Sequence, residues 1–337
     1  MCYNRHQDTI MEQIIDILAT LGRRLAYFGK DDASRAIISR AIEQNEWFTD
    51  DDILQAIYAI RREMLDEEKL RRWLSNYRPA TEPKDVAVIM AGNIPLVGFF
   101  DLVCVLASGH RCHIKPSSKD AVLMEFIVGE LKQINSQIPI FTYDPAREYD
   151  MAIATGGDSA NRYFREHFAS TRALLRGSRH SVAILDGTES TEELSALMHD
   201  ITAYSGLGCR SVSMIFTPTG HLPKLPYCEA RNRKLHRNIA SMRALYTIQQ
   251  RDYQDYGACL GIYGERFSES LAIVTLRNYG DIAEVKTWLE DNCDHIQCVV
   301  SHIPDIKDAV PFGEAQYPTL WDYADGIDTM KFLTSED

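Results

Sequence analysis

The chain runs to 337 residues, of which 45% are apolar and 25% charged, enough for two domains around a sizeable core. A formal charge of −12 lacks the basic footprint of a nucleic-acid binder, although local cations can still hold an anionic ligand. The eight cysteines include no Cys-x-x-Cys pair and no His-x-x-x-His partner, so no metal module is expected and the thiols read as reduced.

Residues 8–78 read as helical. Ile10, Ile14, Ile17, Leu18 and Leu21 make one apolar face, and Ile53, Ile57, Ile60 and Leu65 another. Arg5, His6, Asp8, Glu12 and Asp16 do not suit a signal peptide, so the expected location is the cytoplasm. Pro79 and Pro83 close the region. From Val86 to Gly109 the only charge is Asp101, but Gly92, Asn93 and Pro95 interrupt the run. It therefore reads as a buried strand, a turn and a helix starting at Pro95, with no membrane span. Cys112–Lys115 is a second strand, and Ser117 or Ser118 is placed to cap the next helix. Ile138–Thr142 and Met151–Ala154 are further strands, a helix covers Ser159–Phe168, and Val182–Leu185 ends the series. Such alternation predicts an α/β domain with a largely parallel sheet.

A second unit begins near Thr188. Ser190 and Glu193 form a capping-box pattern ahead of Leu194, Leu197, Met198, Ile201 and Tyr204 at helical spacing. Gly206 and Gly208 end that helix, Ser211–Thr217 is a strand, and Glu229–Gln250 is a basic helix. Leu271–Leu276 and Ile296–Ser301 are strands around a helix at Ile282–Asn292.

Four short segments carry chemistry. Gly92-Asn93-Ile94-Pro95 follows a strand, where an asparagine either stabilises its own turn or donates its amide to an oxyanion. Lys115-Pro116-Ser117-Ser118 leaves the next strand; its lysine is either solvated or reaches a ribose or phosphate. Thr155-Gly156-Gly157 opens a helix after a strand and exposes N–H groups that suit a pyrophosphate, though no G-x-G-x-x-G is present. In Gly206-Leu207-Gly208-Cys209-Arg210, the cysteine is either a small core residue or a nucleophile beside a cation.

In their order and spacing, these four resemble the aldehyde dehydrogenase superfamily. Asn93-Ile94-Pro95-Leu96 is similar to its Asn-x-Pro oxyanion segment, and Ile114-Lys115-Pro116-Ser117 to its Lys-Pro-Ser ribose segment. Thr155-Gly156-Gly157 resembles the Thr-Gly-Ser turn at the pyrophosphate, and Gly208-Cys209 the nucleophile region. Within the superfamily the likeness is greatest to acyl-CoA reductases of the LuxC type. Where aldehyde-oxidising members carry Glu-Leu-Gly-Gly-Lys, this chain has Leu175-Arg176-Gly177-Ser178-Arg179. The missing carboxylate would activate a hydrolytic water, and passing an acyl group between thiols needs no such base.

The resemblance implies two Rossmann-like α/β domains and an N-terminal helical region: residues 1–83 helical, 84–187 cofactor-binding, 188–303 catalytic. Residues 304–337 would return to the cofactor domain or a subunit interface. It implies Cys209 and Asn93 as catalytic residues. Lys115, Pro116, Ser117, Ser118, Thr155, Gly156, Gly157 and Glu269 would bind the cofactor, and Phe312-Gly313 would form a turn near the active site. Ser118-Lys119 in place of a ribose-binding glutamate favours NADPH over NADH. The implied reaction reduces an acyl-CoA or acyl-protein thioester to an aldehyde through an acyl-cysteine. An acyl-donating partner protein is among the partners the resemblance implies, and the enzyme is expected to be a homo-oligomer. The alternatives are a semialdehyde dehydrogenase or acyl-phosphate reductase of the same superfamily, and a shortened inactive relative acting as a partner protein. Arg231, Arg233, Lys234, Arg237 and Arg243 read as a solvated helix face or subunit contact, with CoA phosphates as the other reading.

Overall fold

Four helices open the chain in a computed structural model that describes residues 2–335: α1 (Cys2–Leu25), α2 (Asp32–Gln44), α3 (Asp50–Glu63) and α4 (Glu67–Leu74). Asp31 and Asp66 cap α2 and α4 by accepting from Ser34 N and Lys69 N. The predicted apolar faces are buried from Ile14 onward, with Leu18, Leu21 and Ile53 fully enclosed alongside Leu70 and Trp73, while the side chain of Ile10 lies outside those described.

Alternation of strand and helix follows: β1 (Asp85–Ile89), α5 (Phe99–Ala107), β2 (Arg111–Lys115), α6 (Ala121–Ile134), β3 (Ile140–Thr142), β4 (Met151–Thr155), α7 (Asp158–His167) and β5 (Arg172–Arg176). The five strands form one parallel sheet in the order β3-β2-β1-β4-β5. Apolar Val86–Met90 is the buried centre of this sheet, and α5 buries the rest of the long apolar run against it. No helix among the described residues is long and apolar enough to cross a membrane.

The second sheet is built from β6 (His180–Ile184), β7 (Val212–Pro218), β8 (Gln254–Asp255), β9 (Leu260–Tyr263), β10 (Ile273–Tyr279) and β11 (Ile296–Val300), in the order β11-β6-β7-β10-β9-β8. Only the β8–β9 pairing is antiparallel. Its helices are α8 (Thr191–Thr202), α9 (Arg233–Ile248) and α10 (Ile282–Asp291). The Ser190/Glu193 capping box at α8 is formed as the sequence predicts. The chain closes through α11 (Thr329–Thr334).

Contacts divide the chain into one unit of Met1–Asn45, Asp50–Ser178 and Pro318–Asp337, and another of Glu46–Thr49 and Arg179–Tyr317. This corrects the expected boundary at 187/188. Val182–Leu185 does not end the first sheet; β6 pairs with β7 and β11 in the second. The strand that closes the first sheet is β5, whose Arg172 and Arg176 hide it from an apolar-run reading. The helical stretch 1–83 is not a separate body from 84–178, apart from Glu46–Thr49. The expected tail 304–337 also divides, with Pro318–Asp337 in the first unit. There Tyr323 Oη accepts from Trp73 Nε1 at 2.8 Å and lies 2.7 Å from Tyr77 Oη.

Two helix starts differ from expectation. Pro95 lies in a turn and α5 begins only at Phe99, because Leu96 is left-handed (φ +57°), a conformation no α-helix holds. Neither Ser117 nor Ser118 caps α6. Its N-cap is Asp120, whose side chain makes no capping bond and is committed elsewhere.

Candidate active site

In the first unit the strand order reverses at β1, so chain leaves to opposite sides from the carboxyl ends of β1 and β4. A crevice at such a point is where open α/β sheets take nucleotides. Three of the predicted segments gather along this edge of the sheet: Gly92–Leu96 after β1, Lys115–Ser118 after β2 and Thr155–Gly157 after β4.

The first two are packed on each other. A Cβ at Gly92 would stand 2.6 Å from the Ser117 Cβ and Oγ, so only glycine lets these loops touch. Asn93 is exposed at the top of its turn, not enclosed by apolar surroundings as the sequence implied. Beneath it, the Leu96 N–H donates to Asp120 Oδ2 at 2.9 Å. Asp120 is 2% exposed, and burial pushes its carboxyl well above the usual range. This carboxyl, which the motif reading passed over, fixes the strained backbone that carries Asn93. Lys115 and Ser118 are exposed, Pro116 and Ser117 half-buried, and the Lys115 Nζ lies 5.9 Å from the Tyr143 ring centroid.

After β4, a Cβ at Gly156 would lie 2.8 Å from that of Ala160, which holds the turn against α7, whereas Gly157 faces open space. Gly157 is the N-cap of α7 and supplies no side-chain cap, which leaves the first N–H groups available to an anion. Thr155 Oγ1 is buried there without a hydrogen-bond partner. An open glycine, an uncapped helix start and an orphaned hydroxyl at the reversal point fit a dinucleotide pyrophosphate. Below them, Arg176 of β5 is buried, donating to Asp101 Oδ1 at 2.6 Å and Thr329 Oγ1 at 2.7 Å. The segment where hydrolytic relatives place a glutamate thus carries a buried cation and no acid.

In the second unit Cys209 is exposed on the turn between α8 and β7. Tyr204, Ser205 and Gly206 are all left-handed, at φ +52°, +58° and +72°. Two consecutive non-glycine residues there cost about 1–2 kcal/mol each, so the surroundings must hold the turn. Asn232 Nδ2 donates to Ser205 Oγ at 2.6 Å, and Ser181 Oγ donates to the Cys209 carbonyl at 2.8 Å. Segment 312–316 braces the other side. Arg210 Nη1 donates to the Ala315 carbonyl at 3.4 Å, and Gln316 Nε2 to Ser211 Oγ at 3.4 Å.

That segment is itself pinned by Asp200. Its carboxyl accepts from Gly313 N at 2.6 Å and Ala315 N at 3.1 Å. Burial pushes Asp200 up to about 7, outweighing the two N–H donors that pull it down. Asp200 went unread, although an acid beside Leu197, Met198 and Ile201 on a buried face was the available signal. The expected Phe312-Gly313 turn therefore belongs with the cysteine turn. Glu269 is exposed on the β9–β10 connection, two residues before Leu271, whose Cδ1 would lie 3.9 Å from a Cβ at Gly206.

Comparison with known proteins gives the family. The model for acyl-CoA reductase (LuxC) matches residues 9–257. A long-chain acyl-protein thioester reductase of Aliivibrio fischeri is 27% identical over 161 residues, 42% of this chain and 34% of that protein. The Photorhabdus laumondii protein of the same name is 23% identical over 253 residues, 68% of this chain and 51% of its own length. The chain thus spans between 34% and 51% of these relatives. An acetylating aldehyde dehydrogenase of Geobacillus thermoglucosidasius superposes with TM-score 0.60 at 11% identity, covering 88% of this chain and 77% of its own. The NAD+ complex of a Bacillus cereus aldehyde dehydrogenase gives TM-score 0.59 at 12% identity, with 88% and 72% covered. The family match spans most of the sequence and the architecture agrees with it: the chain belongs to the acyl-CoA reductase (LuxC) family and has the aldehyde dehydrogenase fold.

Proposed function

We propose that this chain reduces an acyl thioester to the aldehyde through an acyl–Cys209 intermediate, with NADPH as the preferred reductant. The observation that carries the reading is an exposed cysteine on a braced, left-handed turn, in a chain with no carboxylate in Leu175–Arg179. A thiolate there attacks the acyl carbonyl and expels the donor thiolate, so one thioester replaces another and no water needs activation. The oxyanion falls to the Cys209 backbone N–H and, on the family resemblance, to the Asn93 amide. Lys115 to Ser118 would hold the adenosine ribose, Thr155 to Gly157 the pyrophosphate and Glu269 the nicotinamide ribose. Ser118 and Lys119 place no acid against a 2′-phosphate, which is the support for NADPH. The bound dinucleotide supplies the hydride. Cys209 then leaves as thiolate while the thiohemiacetal collapses to aldehyde.

Intact-mass spectrometry after incubation with acyl-CoAs tests this. The expected result is an acyl adduct on Cys209, absent in Cys209→Ser, that NADPH discharges as aldehyde. No adduct from any acyl-CoA or acyl-protein would overturn the thioester assignment, and an adduct formed from an acyl phosphate would replace it.

A further inference from the structure

A shallow cavity of about 330 Å³ lies in the second unit beside α9, lined by Trp47, Lys234, Arg237, Asn238, Ser241 and Met242. The five α9 residues recur at helical spacing and form one stripe along the helix. On a chain of net charge −12, this stripe presents two cations to solvent. Arg237 is exposed and has no ion-pair partner among the described residues. Lys234 lies 3.6 Å from the carboxylate of Glu46, which is 72% exposed and can be displaced by a stronger anion. The first turn of α9 contains no acid, so its dipole adds to the attraction.

Charge does not exhaust the cavity's chemistry. Asn238 Oδ1 is buried and has no hydrogen-bond partner. The indole of Trp47, with the Lys234 Nζ 5.8 Å from its ring centroid, offers a flat apolar wall beside the cations. A purine nucleotide combines negative charge for these cations with a flat ring for this wall.

The cavity is also tied to the nucleophile. Asn232, the N-cap of α9, donates from Nδ2 to the Trp47 carbonyl at 3.1 Å and to Ser205 Oγ at 2.6 Å. Ser205 precedes Cys209 by four residues, so their α-carbons lie within about 14 Å of each other. We propose that this cavity binds the 3′-phosphoadenosine end of coenzyme A, from which the pantetheine arm reaches the Cys209 turn. The assignment rests on the thioester reading above and names where its donor is held.

The probe is adenosine 3′,5′-bisphosphate, titrated by calorimetry into Cys209→Ser protein saturated with NADPH, so that neither turnover nor the dinucleotide site contributes. One further site is expected. The double substitution Lys234→Glu, Arg237→Glu, both outside the core, should weaken it by at least about tenfold, the scale of two lost charge contacts. In the Cys209 enzyme the same pair should raise KM for acyl-CoA and leave kcat within about twofold. No binding of the bisphosphate, or a Kd unmoved by the charge reversal, would overturn the site. So would 4′-phosphopantetheine binding as tightly as the bisphosphate, since it lacks the purine; that result would point to an acyl-carrying protein as donor. Bisphosphate binding without reduction of any thioester would instead remove the reductase reading and leave the nucleotide site standing.

Discussion

At the scale of single residues, what matters is which side chains react and which hold them in place. Cys209→Ser is expected to leave under a few per cent of acyl-thioester reduction in a coupled aldehyde assay. For Asn93→Ala the expected loss is about 100-fold in kcat, the scale of one oxyanion donor, and an unchanged rate would remove Asn93 from the machinery. Asp200 makes a pH prediction. Its folded value of about 7 lies above the ordinary 3.8, so the folded state holds the proton more tightly. Its contribution is complete below pH 4 and lost as pH rises through 7, up to about 4 kcal/mol. Thermal midpoints should therefore fall between about pH 4 and 7, and Asp200→Asn should flatten that slope. Cys209, Asn93 and the glycine turn were legible as candidates because each sits in a short contiguous motif. Asp120 and Asp200 were not: each acts on backbone distant in sequence, Leu96 and the 313–315 segment, and only folding makes those pairs.

Among elements, the buried strands read well where apolar residues run together, as in Val86–Met90 and Met151–Ala154. β5 did not, since Arg176 is buried by pairing with Asp101 and so breaks the rule that buried means apolar. Sheet membership of β6 was equally hidden, because a parallel core strand looks the same in either sheet. The Arg176–Asp101 pair yields a further prediction. Arg176→Met strands a buried carboxylate and should cost about 3–5 kcal/mol in a denaturant titration, whereas Arg176→Met with Asp101→Leu should recover most of it. At the start of α7, Gly156→Val would drive its Cβ into Ala160 and open the turn. NADPH affinity, read by fluorescence titration, should drop at least about tenfold while Cys209 still accepts an acyl group. Loss of both together would mean the substitution had disturbed more than the turn.

Over the whole molecule, the first unit is discontinuous, made of residues before and after the second. Trp73 Nε1 and Arg176 both find oxygen partners beyond Pro318, in Tyr323 and Thr329. The ribosome adds these only after it has added every residue of the second unit. The parallel sheet of the first unit must therefore wait through that interval with a buried indole N–H and a buried guanidinium incompletely paired. A nascent chain stalled near Tyr317 would display this gap, which would make it a natural target for holding chaperones and for proteases.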